Sequence, residues 1–134
     1  MKIVLDSNII VAAYAGRGLC NSLFELCIDR YSIIISDFIL TEVNRTLHNK
    51  LKMPQQNVQI IIDYLKEFCI LSTYTGLTEK ICRDKNDNDI IALAVGNNVD
   101  YLITGDNDLL VLKKYKKLKI ISPRDFWLIA KGGN

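Results

Sequence analysis

Short apolar runs that stop at a polar or acidic residue recur along this chain and set its organisation. The first is Ile3-Val4-Leu5, which ends at Asp6 just before Asn8-Ile9-Ile10-Val11-Ala12 takes up helical spacing. A continuous run of this kind reads as a strand buried on both faces of a parallel sheet. Tyr31-Ser32-Ile33-Ile34-Ile35, bounded by Ser36-Asp37, is a second run, and Tyr101-Leu102-Ile103-Thr104, closed by Gly105-Asp106-Asn107-Asp108, is another. Cys69-Ile70-Leu71-Ser72 and Lys119-Ile120-Ile121 are shorter strand candidates. Helical patterns lie between them. Residues 9–14 begin a helix that Gly16-Arg17-Gly18 interrupts; the next carries Leu23, Phe24, Leu26 and Cys27, with Asn21 or Ser22 as cap. Ile39, Leu40, Val43 and Leu47 form the apolar stripe of a helix over 38–50, capped by Ser36 or Asp37. Pro54 opens another that runs to about Phe68, with Val58, Ile61, Ile62, Leu65 and Phe68 facing inward. Residues 76–83 predict a short helical link, Ile90–Val95 a helix apolar on nearly every side, and Pro123 the start of a last helix with Phe126, Trp127 and Ile129. Strand, helix, strand in alternation implies right-handed crossovers and an α/β fold.

With 134 residues, no internal repeat and no linker, the pattern predicts a single domain over 1–134. The net charge is only +2, so bulk charge does not argue for a nucleic-acid partner. Lys113, Lys114, Lys116, Lys117 and Lys119 do cluster; a solvated sheet edge and a phosphate-contacting patch both fit them. Cys20, Cys27, Cys69 and Cys82 lack C-x-x-C spacing and read as small buried hydrophobes in a reducing compartment. No signal-peptide pattern and no apolar run of about 18 residues is present, so a soluble, cytoplasmic protein with no membrane partner is expected. Gly16 and Gly18 come too late after the first strand for a dinucleotide fingerprint.

The carboxylates change the picture. Asp6 and Asp106 end strands, and Arg83-Asp84-Lys85-Asn86-Asp87-Asn88-Asp89 crowds three acids in front of the buried helix. Helix capping accounts for one aspartate there, not for three. Glu42 lies at the rim of the apolar stripe of its helix, where pairing with Arg45 is the plainest reading. In a parallel sheet these junctions share the carboxyl edge, where ligands bind. Acids gathered there repel one another unless a cation compensates. An oxygen-only set without His or Cys suits Mg²⁺ or Mn²⁺ and points to metal-assisted phosphoester hydrolysis. The single histidine, His48, is flanked by polar residues and reads as solvated.

Val4-Leu5-Asp6-Ser7-Asn8-Ile9-Ile10, Ile34-Ile35-Ser36 through Leu40-Thr41-Glu42-Val43, Arg83-Asp84 through Asp87-Asn88, Asp100-Tyr101-Leu102-Ile103-Thr104-Gly105-Asp106-Asn107-Asp108-Leu109-Leu110 and Ser122-Pro123-Arg124-Asp125-Phe126 follow one another in an order that resembles the PIN-domain family. The nearest branch is the one described as toxin components of toxin–antitoxin systems. The resemblance implies a three-layer α/β/α sandwich around a parallel sheet of about four to five strands. It also implies a metal-dependent endoribonuclease that acts on RNA with Mg²⁺ or Mn²⁺. A cognate antitoxin protein and a second copy of the chain are further candidate partners. The family's acids match Asp6, Glu42, Asp87 and Asp106, both as metal ligands and as catalytic groups. At the third position the branch's Asp-Asn pair matches Asp87-Asn88, although Lys85 stands where that branch often has proline. Asp84, Asp89 and Asp108 are secondary candidates. Asn88 is expected to hold water or phosphate as a neutral neighbour, and Ser7 and Thr104 to orient a carboxylate or water. Asp89, about 200° around a helix from Asp87, is expected to face elsewhere. A haloacid-dehalogenase-type phosphatase needs an acid where this chain has Asn8, which disfavours it. A PIN fold used for binding alone is the remaining alternative.

Overall fold

A computed structural model of the chain describes residues 1–16, 18–74 and 80–132. Strand β1 (Lys2–Leu5) leads into α1 (Ser7–Ala15) and α2 (Leu19–Arg30); β2 (Ser32–Ile35) is followed by α3 (Asp37–Arg45), a π-helical turn (Thr46–Lys50) and α4 (Gln55–Phe68). Then come β3 (Ile70–Leu71), α5 (Lys85–Gly96), β4 (Tyr101–Ile103), α6 (Asn107–Leu110), β5 (Lys114–Tyr115), β6 (Leu118–Ile121) and α7 (Pro123–Ala130). The strands form one sheet in the order β3-β2-β1-β4-β6-β5, parallel except for β5, and helices flank it as an α/β sandwich. The chain builds outward from β1 to β2 and β3, then crosses back to place β4 on the other side. The β1–β4 seam is therefore the topological switch point of the sheet.

The central strands are buried as their apolar runs require. Ile3, Val4 and Leu5 of β1 and Ile33, Ile34 and Ile35 of β2 are all at most 3% exposed, leaving no polar face. Helices α1, α3, α5 and α7 each start where a short polar side chain satisfies an orphan backbone N–H. Asp6 accepts from Asn8, Ser36 from Ile39, Asp84 from Asn86 and Ser122 from Asp125.

Several local expectations shift. The sheet has six strands, not four to five, because Lys114–Tyr115 folds back on β6 as a two-residue antiparallel edge. The helix expected over 38–50 stays α-helical only to Arg45, and the π turn widens it so that the Leu51 N–H reaches the Thr46 carbonyl. Helix α2 begins at Leu19 behind Gly18, whose φ of 117° suits a residue without Cβ, so Asn21 and Ser22 lie inside it rather than capping it. Pro54 stands at the N-cap of α4, one residue before its first turn. Phe68 is 52% exposed, since Cys69 takes the last inward position after Val58, Ile62 and Leu65. Of the helical link expected over 76–83, residues 75–79 lie outside the described residues, and 80–83 are not helical. The four cysteines are free, three buried and Cys20 half-buried. His48 is exposed, with Nδ1 3.0 Å from the Met53 carbonyl oxygen.

Candidate functional site

Parallel pairing continues one residue past the strands and carries the first acid into place. The Asp6 N–H donates to the Ile103 carbonyl at 3.0 Å, and the Thr104 N–H donates to that of Ile121 at 3.0 Å. Thr104, fully buried, then links the two acids across the switch point. Its hydroxyl donates to Asp6 Oδ2 at 2.7 Å and accepts from the Asp106 N–H at 3.0 Å. The Ser7 hydroxyl, 3.4 Å from Asp6 Oδ1, holds the other oxygen. Asp106 caps α6 by accepting from the Asp108 N–H at 2.9 Å.

The remaining acids arrive on helices. Glu42 projects from the second turn of α3 and Asp87 from the first turn of α5, whose cap is Asp84. Asp6, Glu42, Asp84, Asp87 and Asp106 line one cavity of about 150 Å³, together with Ser7, Asn8 and Asn86, over a floor of Phe38, Ile39 and Ile90. Four separate segments of the chain thus deliver acid to a single polar recess. A larger groove of about 500 Å³ runs between α1, α2 and α4, but Tyr14, Phe24, Ile60 and Tyr64 make it mostly apolar and Glu25 is its only acid.

The electrostatics are those of an under-compensated cluster. Asp87, 8% exposed, has its carboxyl pushed up to about 7, first by desolvation and then by a hydrogen bond and charge repulsion from Asp106, with Asp84 and Asp6 adding to it. Burial also raises Glu42, helped by Asp6 and opposed by Arg45. With its carboxyl raised in this way, Asp87 favours a proton that offsets part of the cluster's negative charge. Carboxylate oxygens of Asp87, Asp106 and Asp108 lie within 4.8 Å of one another. An all-oxygen, mutually repelling set of this kind fits a hard divalent cation, which displaces that proton on binding.

The secondary candidates divide, Asp84 lining the recess and Asp108 reaching Asp87 and Asp106 while Asp89 does not. Asp89 accepts from Lys85 Nζ at 2.9 Å and takes no part in lining the cavity. Asp108 is exposed and lies 3.9 Å from Arg83. Asn88 does not serve as a neutral neighbour for water or phosphate. Its Oδ1 accepts from the Ile81 and Cys82 N–H groups at 2.9 and 2.8 Å, and its Nδ2 donates to the Cys82 carbonyl at 2.6 Å. It clamps the segment before α5, because those backbone groups have no ladder partner. Asn8 and Asn86 line the recess without having been singled out. Each sits two residues after a capping aspartate that accepts from its N–H, and that Asp-x-Asn spacing is the signal that could have found them.

A doubly wound sheet with an acidic recess at its switch point defines an α/β domain shaped to work on a ligand through carboxylates. A family profile described as PIN domain matches residues 2–108, a span that includes all four segments of the recess. The chain belongs to the PIN-domain family. No curated protein sequence matches it. Among solved structures it is similar to a chain in the crystal structure of VapBC2 from Rickettsia felis bound to a DNA fragment from their promoter. The TM-score is 0.63 at 17% identity, over 91% of this chain and 98% of that one. At that identity the likeness is one of fold. Among the described residues no helix is long and apolar enough to cross a membrane.

Proposed function

We propose that this protein is a divalent-metal-dependent endoribonuclease and the toxin of a toxin–antitoxin pair. The observation that carries the reading is the convergence of Asp6, Glu42, Asp87 and Asp106 from four segments on one recess. Membership of a family whose members are generally metal-dependent nucleases supports it. The likeness in fold to a chain of a VapBC2 structure supports the choice of a toxin with a protein antitoxin as partner.

Asp6, Asp87 and Asp106 would hold the cation, with Glu42 lining the same recess and an Asp108 oxygen within 4.8 Å of those of Asp87 and Asp106. When bound, Mg²⁺ or Mn²⁺ supplies the missing positive charge and Lewis acidity toward the scissile phosphate and water. The chain's own groups do the positioning. Thr104 and Ser7 fix both oxygens of Asp6, and the Asp106 cap fixes the register of its carboxylate. Glu42, its affinity for protons raised by burial beside Asp6, is suited to take a proton from the attacking water. The test is cleavage of single-stranded RNA with Mg²⁺, Mn²⁺ or chelator, by wild type and by Asp106→Asn. Metal-dependent cleavage lost in the variant is expected. No cleavage by the wild type with either metal, or equal cleavage by both proteins, overturns the reading. Expression with and without the product of an adjacent short gene tests the antitoxin: growth arrest relieved by that product is expected.

A further inference from the structure

The net charge of +2 conceals two poles. Residues 113–119 hold five lysines and no acid, leaving twelve basic against fifteen acidic residues elsewhere. All five lysines are exposed, and they occupy β5, its flank, the turn into β6 and β6 itself, at the outer edge of the sheet beyond the span that the family profile matches. Their order runs away from the recess. The C-terminal end of β6 lies level with Thr104, because Ile121 accepts from the Thr104 N–H. Lys113 accepts from the Ile120 N–H next to that end, Lys114 pairs with Lys119 in mid-strand, and the Lys116–Lys117 turn closes the opposite end.

Lysines on an edge strand discourage unwanted pairing, but that role explains little here. A strand of two residues is already too short to template a partner. Among the described residues none of the five is in a salt bridge. Lys113 and Lys116 also hold φ of 61° and 55°, a left-handed conformation that costs a side-chain-bearing residue about 1–2 kcal/mol and that glycine or asparagine adopts more cheaply. Solubility alone asks for no lysine at such positions. Lys116 and Lys119 lie 5.5 and 5.7 Å from the ring centroids of Tyr115 and Tyr101, so the row is interleaved with half-buried aromatic surface.

We infer that this edge is the track for the sugar-phosphate backbone of a single-stranded RNA whose scissile phosphate lies in the acidic recess, an inference that rests on the nuclease reading above. A recess lined with carboxylates repels a polyanion, so affinity has to come from cationic surface outside it. Lysines supply it by displacing counterions from phosphates, and tyrosine rings beside them suit unstacked bases, which a duplex does not present.

The test measures anisotropy of a labelled RNA of about 20 nucleotides, in chelator, over a range of salt concentrations, for wild type and for the triple variant Lys113→Gln, Lys116→Asn, Lys117→Gln. Affinity near 0.1 M salt should fall by roughly 10- to 100-fold, and the slope of log K against log salt should flatten by about 2, near 0.7 for each phosphate no longer neutralised. KM for the long RNA should rise while turnover of a dinucleotide-length substrate stays the same. Arginine at all three positions should restore binding. The triple variant should melt no lower than wild type, because Lys116→Asn relieves a left-handed φ. Unchanged affinity and slope in the folded variant overturn the track, as does an equal loss of turnover on short and long substrates. Loss of binding to duplex DNA or to an acidic peptide, with RNA binding intact, assigns the edge to that partner and overturns the proposal. A wild type that cleaves nothing yet binds RNA with the expected lysine-dependent slope upholds the track and sinks the nuclease reading instead.

Discussion

Thr104 is the residue on which the geometry of the recess turns, because one buried hydroxyl serves an acid on each side of the switch point. Thr104→Val keeps the shape but strips the Asp6 oxygen and the Asp106 N–H of their partner. It should cost about 1–3 kcal/mol in stability, read by thermal melting. Cleavage should fall by roughly 10- to 100-fold, as when a ligand loses its supporting hydrogen bond. The two acids at the start of α5 part company in the same way. Asp89→Asn gives up the pair with Lys85 and weakens a hydrogen bond with Tyr74, both away from the recess, so cleavage should change little while melting reports a loss of about 0.5–1.5 kcal/mol. Asp87→Asn should abolish cleavage while leaving the metal-free fold as stable or more so. The pH dependence has a definite sign. With chelator present, the folded carboxyl of Asp87 titrates near 7 against an ordinary value of 3.8, so the folded state holds the extra proton between those limits. Its favourable contribution is complete below the ordinary value and is lost as pH rises through about 7. Melting temperature in chelator should therefore decline from pH 4 to pH 8 with a component that Asp87→Asn removes. A pH profile identical in that variant would show that Asp87 is not the titrating group.

At the scale of elements, strands and caps were legible because their signals are local. Apolar runs bounded by Asp or Ser marked β1, β2 and β4, and the same bounding residues turned out to cap α1, α3 and α6. The elements that escaped depend on partners distant in sequence. Two residues, one of them a lysine, are too few to signal a strand, so β5 exists only because β6 lies beside it. The π turn keeps Leu47 buried and returns the chain so that the Met53 N–H meets the Leu47 carbonyl, a requirement of packing invisible in spacing. Asn88 is the sharpest case. Its type and place suggested a ligand neighbour, yet its amide closes three backbone groups of residues 81 and 82. Asn88→Ala should thus destabilise the chain by about 1–3 kcal/mol through unsatisfied N–H groups, measured by denaturant titration. Faster amide exchange at Ile81 and Cys82 should accompany it; unchanged exchange there would refute the clamp.

For the molecule as a whole, the acids are more informative together than singly. An ordered set of motifs marks them in the sequence, and they line one cavity because a parallel sheet brings every strand-to-helix junction to one edge. Mg²⁺ or Mn²⁺ should raise the melting temperature of the wild type by several degrees, since an ion held by the folded cluster and not by the open chain stabilises by mass action. The double change Asp6→Asn with Asp106→Asn should abolish that rise; an undiminished rise would locate the ion outside the recess.

The seam between β1 and β4 carries a further consequence, one of timing. Asp6 and Glu42 belong to the half of the sheet synthesised first, Asp87 and Asp106 to the half synthesised last, and Thr104 bonds Asp6 from 98 residues away. Contacts of such long range form late, after the local helices and hairpins are in place. A growing chain therefore emerges with its reactive groups divided. It becomes competent only when its second half has left the ribosome and zipped onto the first. On the nuclease reading proposed above, the recess is assembled only after synthesis of the chain is complete.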